Sequence, residues 1–332
     1  MNRIKSNFWR KGICVLCVLF FSSLIFVSAI FASDYPSKPI KLIVPYNAGG
    51  GTDSNARLIQ KGLEKFLPQP LVIINMGGAA SVIGSREVLN AEPDGYTVLI
   101  NIVNIWTNKA LGNADFGPFD FEPVAQTGTY YLVEVTGANS KYKNLNEFLT
   151  DVKEKPNTVK EATNIGAITH FTSLALQDRL GGDAAFRLVH IGDGAQRIAS
   201  VLGGHVDATL MGTMEAKGYY DSGEMRLLAV YAPERLAGLE NAPTAKEQGL
   251  DVEQAVSYWF FMPKGTPKDR VEYFADALEK TMQLPEIRGK MLAKVMVPSF
   301  LRGEELIKHI QEEGEKIMYI ADKYNLKKSV TK

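Results

Sequence analysis

Apolar runs and glycine-bearing breaks alternate along most of the chain. Ile40–Val44 is a short apolar run bounded by turn residues, which predicts a buried strand. Beyond it, Ala56, Ile59, Leu63 and Phe66 recur at spacings of three and four, the mark of one apolar helix face. Leu71–Ile74 predicts a second strand, followed by a small-residue loop and a helix to about Leu89. The turn in EPDGYTVLI feeds a third strand, Thr97–Ile102. Three strand–loop–helix units in succession predict an α/β domain with a mainly parallel sheet.

The middle of the chain repeats this grammar. Asn144–Lys155 predicts an amphipathic helix with Leu145, Phe148, Leu149 and Val152 inward, ended near Pro156. Short strands are expected at Val159–Thr163, Arg187–Ile191, Ala208–Met211 and Leu227–Val230. From about Pro267 the pattern reads as three amphipathic helices. Tyr130–Val135 and Val256–Phe261 are apolar, extended stretches flanking the middle block, and they are the expected crossings between two domains. The pair Trp259–Phe260 lies in the second crossing, either packed there or walling a cleft.

The first 32 residues differ. A basic stretch to Lys11 precedes an apolar run from Ile13 to Val27, then Ser28, Ala29 and Ala32. That is the pattern of a secretory signal peptide, with cleavage after Ala29 or Ala32 both compatible. The run is short for a membrane span. Both cysteines, Cys14 and Cys17, fall inside it, which removes disulfides and thiolate chemistry from the expected mature chain. The formal charge is zero overall, but the segment holds Arg3, Lys5, Arg10 and Lys11 and no acid. The remainder is therefore slightly acidic, which argues against nucleic acid as a partner. The expected location is the periplasm.

Four loops carry the candidate chemistry: VPYNAGGGTD (44–53), NMGGAASVIG (75–84), TNIGAITHF (163–171) and HIGDGAQRI (190–198). Each follows a predicted strand and precedes a predicted helix. Such a loop exposes unpaired N–H groups at the positive end of a helix dipole, and glycine lets an anion approach. Thr52 or Asp53 is the expected N-cap of the first helix. Other chemistries find less support. The first loop has Gly49 and Gly51 but Ser54 where a dinucleotide fingerprint needs a third glycine, and the second strand ends in Asn75 rather than an acid. There is no Walker motif and no nucleophile elbow. His170, His190, His205 and His309 lack metal-ligand spacing, so no metal and no cofactor are expected. An exported α/β enzyme is the rival from another class, without a recognisable nucleophile, base or metal cluster.

The opening YPSKPIKLIVPYNAGGGTDSNARLI and the later NMGGAASVIGSREVLNAEPDGYTVLI resemble the two signature blocks of the substrate-binding proteins of tripartite tricarboxylate transporters, the Bug family. VLGGHVDA, RLLAVYAPERLAGLENAPTAKEQGL and SYWFFMPKGTPKDRV resemble its later blocks in the same order. The resemblance implies a two-lobed periplasmic binding protein of type II-like, Venus-flytrap form, with two crossings between lobes. Residues 33–132 and 256–332 would form lobe 1, and 133–255 lobe 2. It implies a small organic anion as ligand, one carboxylate resting on the first two loops. By position these are Tyr46, Ala48, Gly49, Gly50, Thr52 and Asp53, with Gly78, Ala79, Ala80 and Ser81. Lobe 2 would read the distal end through Thr163, Gly166, Ala167, Thr169, His170, Asp193, Gly194 and Ala195. The implied partners are the large and small membrane subunits of a transporter; a sensor kinase stays open as an alternative. The chain is expected to act as a monomer.

The chain departs from the family pattern at several of these positions. Ala80–Ser81 stands where the family has a glycine pair, and Asn47 where it has proline. Gly166-Ala-Ile-Thr-His170 replaces a run rich in serine. The loop after His190 is about two residues shorter and lacks an aromatic. A less polar distal pocket is expected, suited to a ligand with a less polar tail than citrate.

Overall fold

The structure is a computed structural model and describes residues 35–181, 183–192 and 194–329. The expected signal segment, residues 1–32, and Asp193 lie outside the described residues. The chain divides after Ser37, and among the described residues every strand lies in the compact unit that begins at Lys38.

Strands β1 (Ile40–Val44), β2 (Leu71–Asn75) and β3 (Thr97–Asn101) pair in parallel, in the order β2-β1-β3. Helices α1 (Gly51–Leu63), α2 (Val82–Leu89) and α3 (Asn104–Leu111) follow them in turn. Ile40, Leu42 and Val44 on one face of β1 and Ile43 on the other are buried, as are Val98, Leu99 and Ile100, so these strands are covered on both faces. Each such side chain contributes about 1.5–3 kcal/mol of burial.

The next strand, β4, runs unbroken from Phe121 to Gly137. Its first part pairs with β9 (Ala255–Pro263) and β10 (Val297–Leu301). Its last residues pair instead with β7 (Ala208–Gly212) and β8 (Met225–Val230). β4 therefore belongs to both halves of the sheet, and the expected crossing Tyr130–Val135 lies within it. The expected return, Val256–Phe261, lies within β9. The two crossings run side by side: Tyr130 is in register with Val256, and Leu132 N donates to Gln254 O at 3.0 Å. The second half is again parallel at its outer edge, with β7, β5 (Lys160–Thr163) and β6 (Arg187–His190) in that order.

The sheet is thus mixed rather than mainly parallel, because β4 and β9 run antiparallel to their neighbours. Helices α4 (Leu145–Glu154), α5 (Ile168–Leu180), α6 (Gly194–Leu202) and α7 (Thr213–Asp221) flank the second half. α4 matches its predicted pattern, with Leu145, Phe148, Leu149 and Val152 buried. Its Asn144 cap accepts from Glu147 N at 2.9 Å while Glu147 reaches back to Lys143 N, a reciprocal cap.

The C-terminal segment holds α8 (Lys268–Gln283), α9 (Pro285–Ala293), α10 (Gly303–Lys323) and the short α11 (Leu326–Ser329). Patterning anticipated the three longer helices but not β10, a five-residue strand set between α9 and α10. Trp259 is packed rather than open to a cleft: it is 1% exposed and donates its Nε1–H to Gln126 Oε1 at 3.1 Å.

Candidate functional site

In each half, three parallel strands end at one edge of the sheet and each leads into a helix. Ligands bind at such edges in open α/β sheets, outside the carboxyl ends of the strands. The β1–α1 and β2–α2 loops are tied together. Asn75 donates to Tyr46 O at 3.2 Å and to Asp53 Oδ1 at 3.0 Å. The Asn47 side-chain oxygen lies 2.3 Å from where a Cβ on Gly77 would stand, too close for any side chain there.

Helix α1 starts at Gly51, with Gly50 as its N-cap and no side chain capping it. Thr52 and Asp53 therefore sit one and two residues inside the helix start, not at the cap. Asp53 is buried and accepts from Gly49 N at 2.8 Å and Arg57 Nε at 3.0 Å. Burial pushes its carboxyl up, but hydrogen bonds from Arg57, Gly49 and Asn75 outweigh that and hold it below the usual range. Its oxygens are thus committed to shaping the loop. The N–H groups of the first turn keep no partner inside the helix. Ala48, Gly49 and Gly50 are exposed beside them.

The second loop is built from strained backbone. Ala79, Ala80 and Ser81 have φ of +45°, +51° and +88°, in the left-handed region that L residues disfavour. Side chains from β3 and α3 hold it there. Asn108 donates to Ala80 O at 2.7 Å, and Asn101 donates to Ser85 Oγ at 2.9 Å. Ser81 is buried, with Asn101 and Asn108 both 3.4 Å from its Oγ. Tyr46 donates its hydroxyl to Asn101 Oδ1 at 3.0 Å. Burial raises the Tyr46 hydroxyl far above its ordinary range, only partly offset by Ser81 and Asn104, so it stays protonated.

Sequence reasoning missed Asn101, Asn104 and Asn108. Their signal was present in NIVNIWTN, where Asn104 and Asn108 stand four apart on one helix face.

In the second half, the loops after β5 and β6 meet. Ile165 N donates to His190 Nδ1 at 3.2 Å, and a Cβ on Gly192 would lie 3.9 Å from Asn164 Oδ1. Thr163 and Thr169 are buried and bonded to each other at 3.0 Å, so they pin this loop rather than face outward. Helix α5 begins at Ile168 with Ala167 as N-cap, again without a side-chain cap. His170 Nδ1 accepts from Gly166 N at 3.3 Å. Burial, then the nearby His190, lowers the His170 imidazole to about 4, so at neutral pH it is uncharged and carries its proton on Nε2. Gly194 and Ala195 open α6, with Ala195 exposed.

The two sets of loops approach each other at two points. Met214 Cε, on the first turn of α7, is 3.2 Å from where a Cβ on Gly51 would be. Leu111 Cδ1, at the end of α3, is 3.0 Å from the corresponding point on Gly166. Tyr130 and Tyr258 pack with ring centres 5.7 Å apart and planes inclined at 43°, and the Tyr258 hydroxyl is 3.8 Å from the Gly51 position. These walls were not among the expected site residues. α7 is a further helix whose N-cap, Gly212, lacks a side-chain bond.

Residues 55–326 match the model of the tripartite tricarboxylate transporter family receptor, TctC. The chain belongs to this receptor family. BugT of Bordetella pertussis is 32% identical over 71% of this chain and 73% of its own length. A TctC solute-binding protein from Polaromonas superposes with a TM-score of 0.74 at 29% identity, over 87% of this chain and 99% of that one. MatC from Rhodopseudomonas palustris, solved with bound malate, shares the fold at 24% identity with a TM-score of 0.74, over 86% of this chain and all of that one. The receptor is therefore a two-lobed α/β periplasmic-binding-protein fold, its lobes joined through β4 and β9.

Proposed function

We propose that this receptor captures a small organic carboxylate between its two sets of strand-end loops and presents it to the membrane subunits of a tripartite transporter. The observation that carries this reading is the meeting of helix starts without side-chain caps. α1 and α7 face each other at Gly51 and Met214, and α5 opens beside Gly166. Each start offers N–H donors and a positive dipole end to an anion, with about 1.5–3 kcal/mol from each charge-assisted bond.

One carboxylate would rest on N–H groups of residues 51–53 and 78–80, beside Gly50 and Ser81, whose own N–H groups donate to Asn47 O and Gly78 O. His170 Nε2–H and the α6 start would meet the distal end. The receptor does no chemistry; its family is a family of receptors. In this reading residues 33–132 and 256–332 form one lobe and 133–255 the other, and the chain is exported by its N-terminal segment. The bound malate of MatC supports a dicarboxylate of similar size. Closure is driven by ligand only if the closed form binds it more tightly, which the second-lobe loops supply.

A thermal-shift series with mono- and dicarboxylates tests the proposal. At least one should raise the unfolding temperature in a concentration-dependent way. No shift across a broad panel, with folded protein, would contradict it.

A further inference from the structure

Glu134 of β4 and Glu161 of β5 are both 0% exposed. Glu134 is in register with Leu210 of β7, and Ala208 of β7 with Glu161. Side chains alternate along strands, so both acids stand on one face of the sheet with β7 between them. Tyr231, just beyond β8, donates to Glu134 Oε2 at 3.3 Å. Ser173 Oγ of α5 is 2.6 Å from Glu161 Oε1. Glu134 Oε1 and Glu161 Oε2 are buried without a hydrogen-bond partner among the described residues, none of whose basic side chains offsets either acid.

Ser173 bears on the protonation of Glu161. Its Oγ is also 2.9 Å from the Thr169 carbonyl oxygen. A hydroxyl has one proton, and a carbonyl cannot donate. With Ser173 donating to Thr169, the short contact to Glu161 is satisfied by a proton on the Glu161 carboxyl. An ionised Glu161 would compete with Thr169 for the single serine proton. Two buried carboxylates without a cation cannot both be charged. Burial, then the charge of Glu161, raises Glu134 well above the carboxylate range; burial raises Glu161, offset only in part by Ser173.

We propose that Glu161 and Glu134 form a proton-held brace that positions the second-lobe loop, residues 163–170, and so links its placement to pH. Glu161 stands two residues before Thr163. Ser173 stands one turn beyond Thr169, whose Oγ1 lies 3.0 Å from the Thr163 hydroxyl and 3.4 Å from Asn164 N. Losing the proton releases Ser173, and with it the first turns of α5, from β5. Tyr231 faces Glu134, and His170 stands one turn before Ser173 on α5. Tyr231 stays protonated, raised by burial and by the two acids, and His170 is neutral above about pH 5. Neither compensates the charge. The consequence for ligand binding rests on reading 163–170 as a ligand contact; the positioning does not.

Hydrogen exchange of the full receptor without ligand, at pH 5 to 8, tests the brace. Wild type is compared with Glu161→Gln, Glu134→Gln and Glu161→Ala at each pH, so that intrinsic exchange cancels. Protection of the 163–173 amides in wild type should fall relative to Glu161→Gln by up to about tenfold per pH unit, the limit for opening linked to loss of one proton. Glu161→Ala should be poorly protected at every pH. Should Glu161→Gln not fold, Ser173→Ala, which removes the hydroxyl that Glu161 holds, should show a pH-independent protection in its place, while Glu134→Gln, which leaves Glu161 to titrate, should keep the wild-type fall. Parallel profiles in wild type and Glu161→Gln, or in wild type and Ser173→Ala, overturn the proposal. Because no ligand enters the experiment, its outcome is independent of the carboxylate reading.

Discussion

Asp53 and His170 hold the same post in different halves of the receptor. Each is the third residue of its helix, and each accepts the N–H of the glycine preceding the N-cap: Gly49 at 2.8 Å and Gly166 at 3.3 Å. Both glycines have positive φ, +85° and +90°, which turns the chain so that the loop N–H points back into the helix start. One half uses a carboxylate for this and the other a neutral imidazole, so the two lose their contributions over different ranges of acid pH.

The His170 imidazole is lowered from 6.5 to about 4 on folding. The unfolded chain therefore binds the extra proton first. The stability this group contributes is complete above about pH 6.5 and is lost as pH falls toward 4. His170→Gln should remove that acid slope. Thermal unfolding of wild type and variant across pH 4–7 checks it, and the expected result is a gap that changes with pH below about 6.5.

Asp53 is held below the usual carboxylate range. Its contribution is present above the unfolded value and lost as pH falls through the lower, folded one. Asp53→Ala should destabilise the receptor by about 1–3 kcal/mol at pH 7, since Gly49, Arg57 and Asn75 all lose an acceptor. Denaturant unfolding at pH 7 and near pH 3 should show the difference shrinking in acid.

Gly50 and Gly49 should separate binding from folding. Gly50 has φ of −74°, and an added Cβ would meet only Asn47 O, at 3.5 Å. Gly50→Val should therefore fold normally while its side chain crowds the α1 start. A carboxylate deprived of one or two donors there should bind roughly 10- to 150-fold more weakly. Gly49→Val should instead cost about 1–2 kcal/mol in stability, because φ is positive there. Calorimetric titration and thermal unfolding of both variants distinguish these effects.

Ala80 carries strain that glycine would relieve. Its φ of +51° is imposed by the Asn108 bond to its carbonyl and by buried Ser81 beside it. Ala80→Gly should stabilise the receptor by about 0.5–1 kcal/mol, the left-handed relief net of the added freedom of the unfolded chain. Equilibrium unfolding in urea measures it. A destabilised variant would mean that the alanine methyl makes a contact worth more than the strain.

The sequence showed the α/β alternation, both crossings and the four glycine-bearing loops, because each leaves a local trace in periodicity or glycine content. It did not show which loops would face one another. Met214 against Gly51 and Leu111 against Gly166 are contacts between segments far apart in the chain, set by how β4 and β9 join the halves. Asp53 reads as a capping residue from its spacing alone. Its third-position role depends on where the helix begins, and a run of three glycines leaves that boundary open. β10 was missed because five residues following α9 carry too little pattern to separate from a helix. The buried acids Glu134 and Glu161 look like ordinary outward positions until the register places both on one face of the sheet, with Glu161 against Ser173 of α5.

The central claim is that backbone N–H groups at helix starts hold a carboxylate in the gap between the two sets of loops. Crystals of receptor purified from its native host test it most directly. Density for a small anion should lie between the loops, with carboxylate oxygens about 3 Å from N–H groups of residues 51–53 and 78–80. Density for the bound solute elsewhere, with the segment around Gly49–Gly51 packed against the receptor's own side chains, would contradict the account.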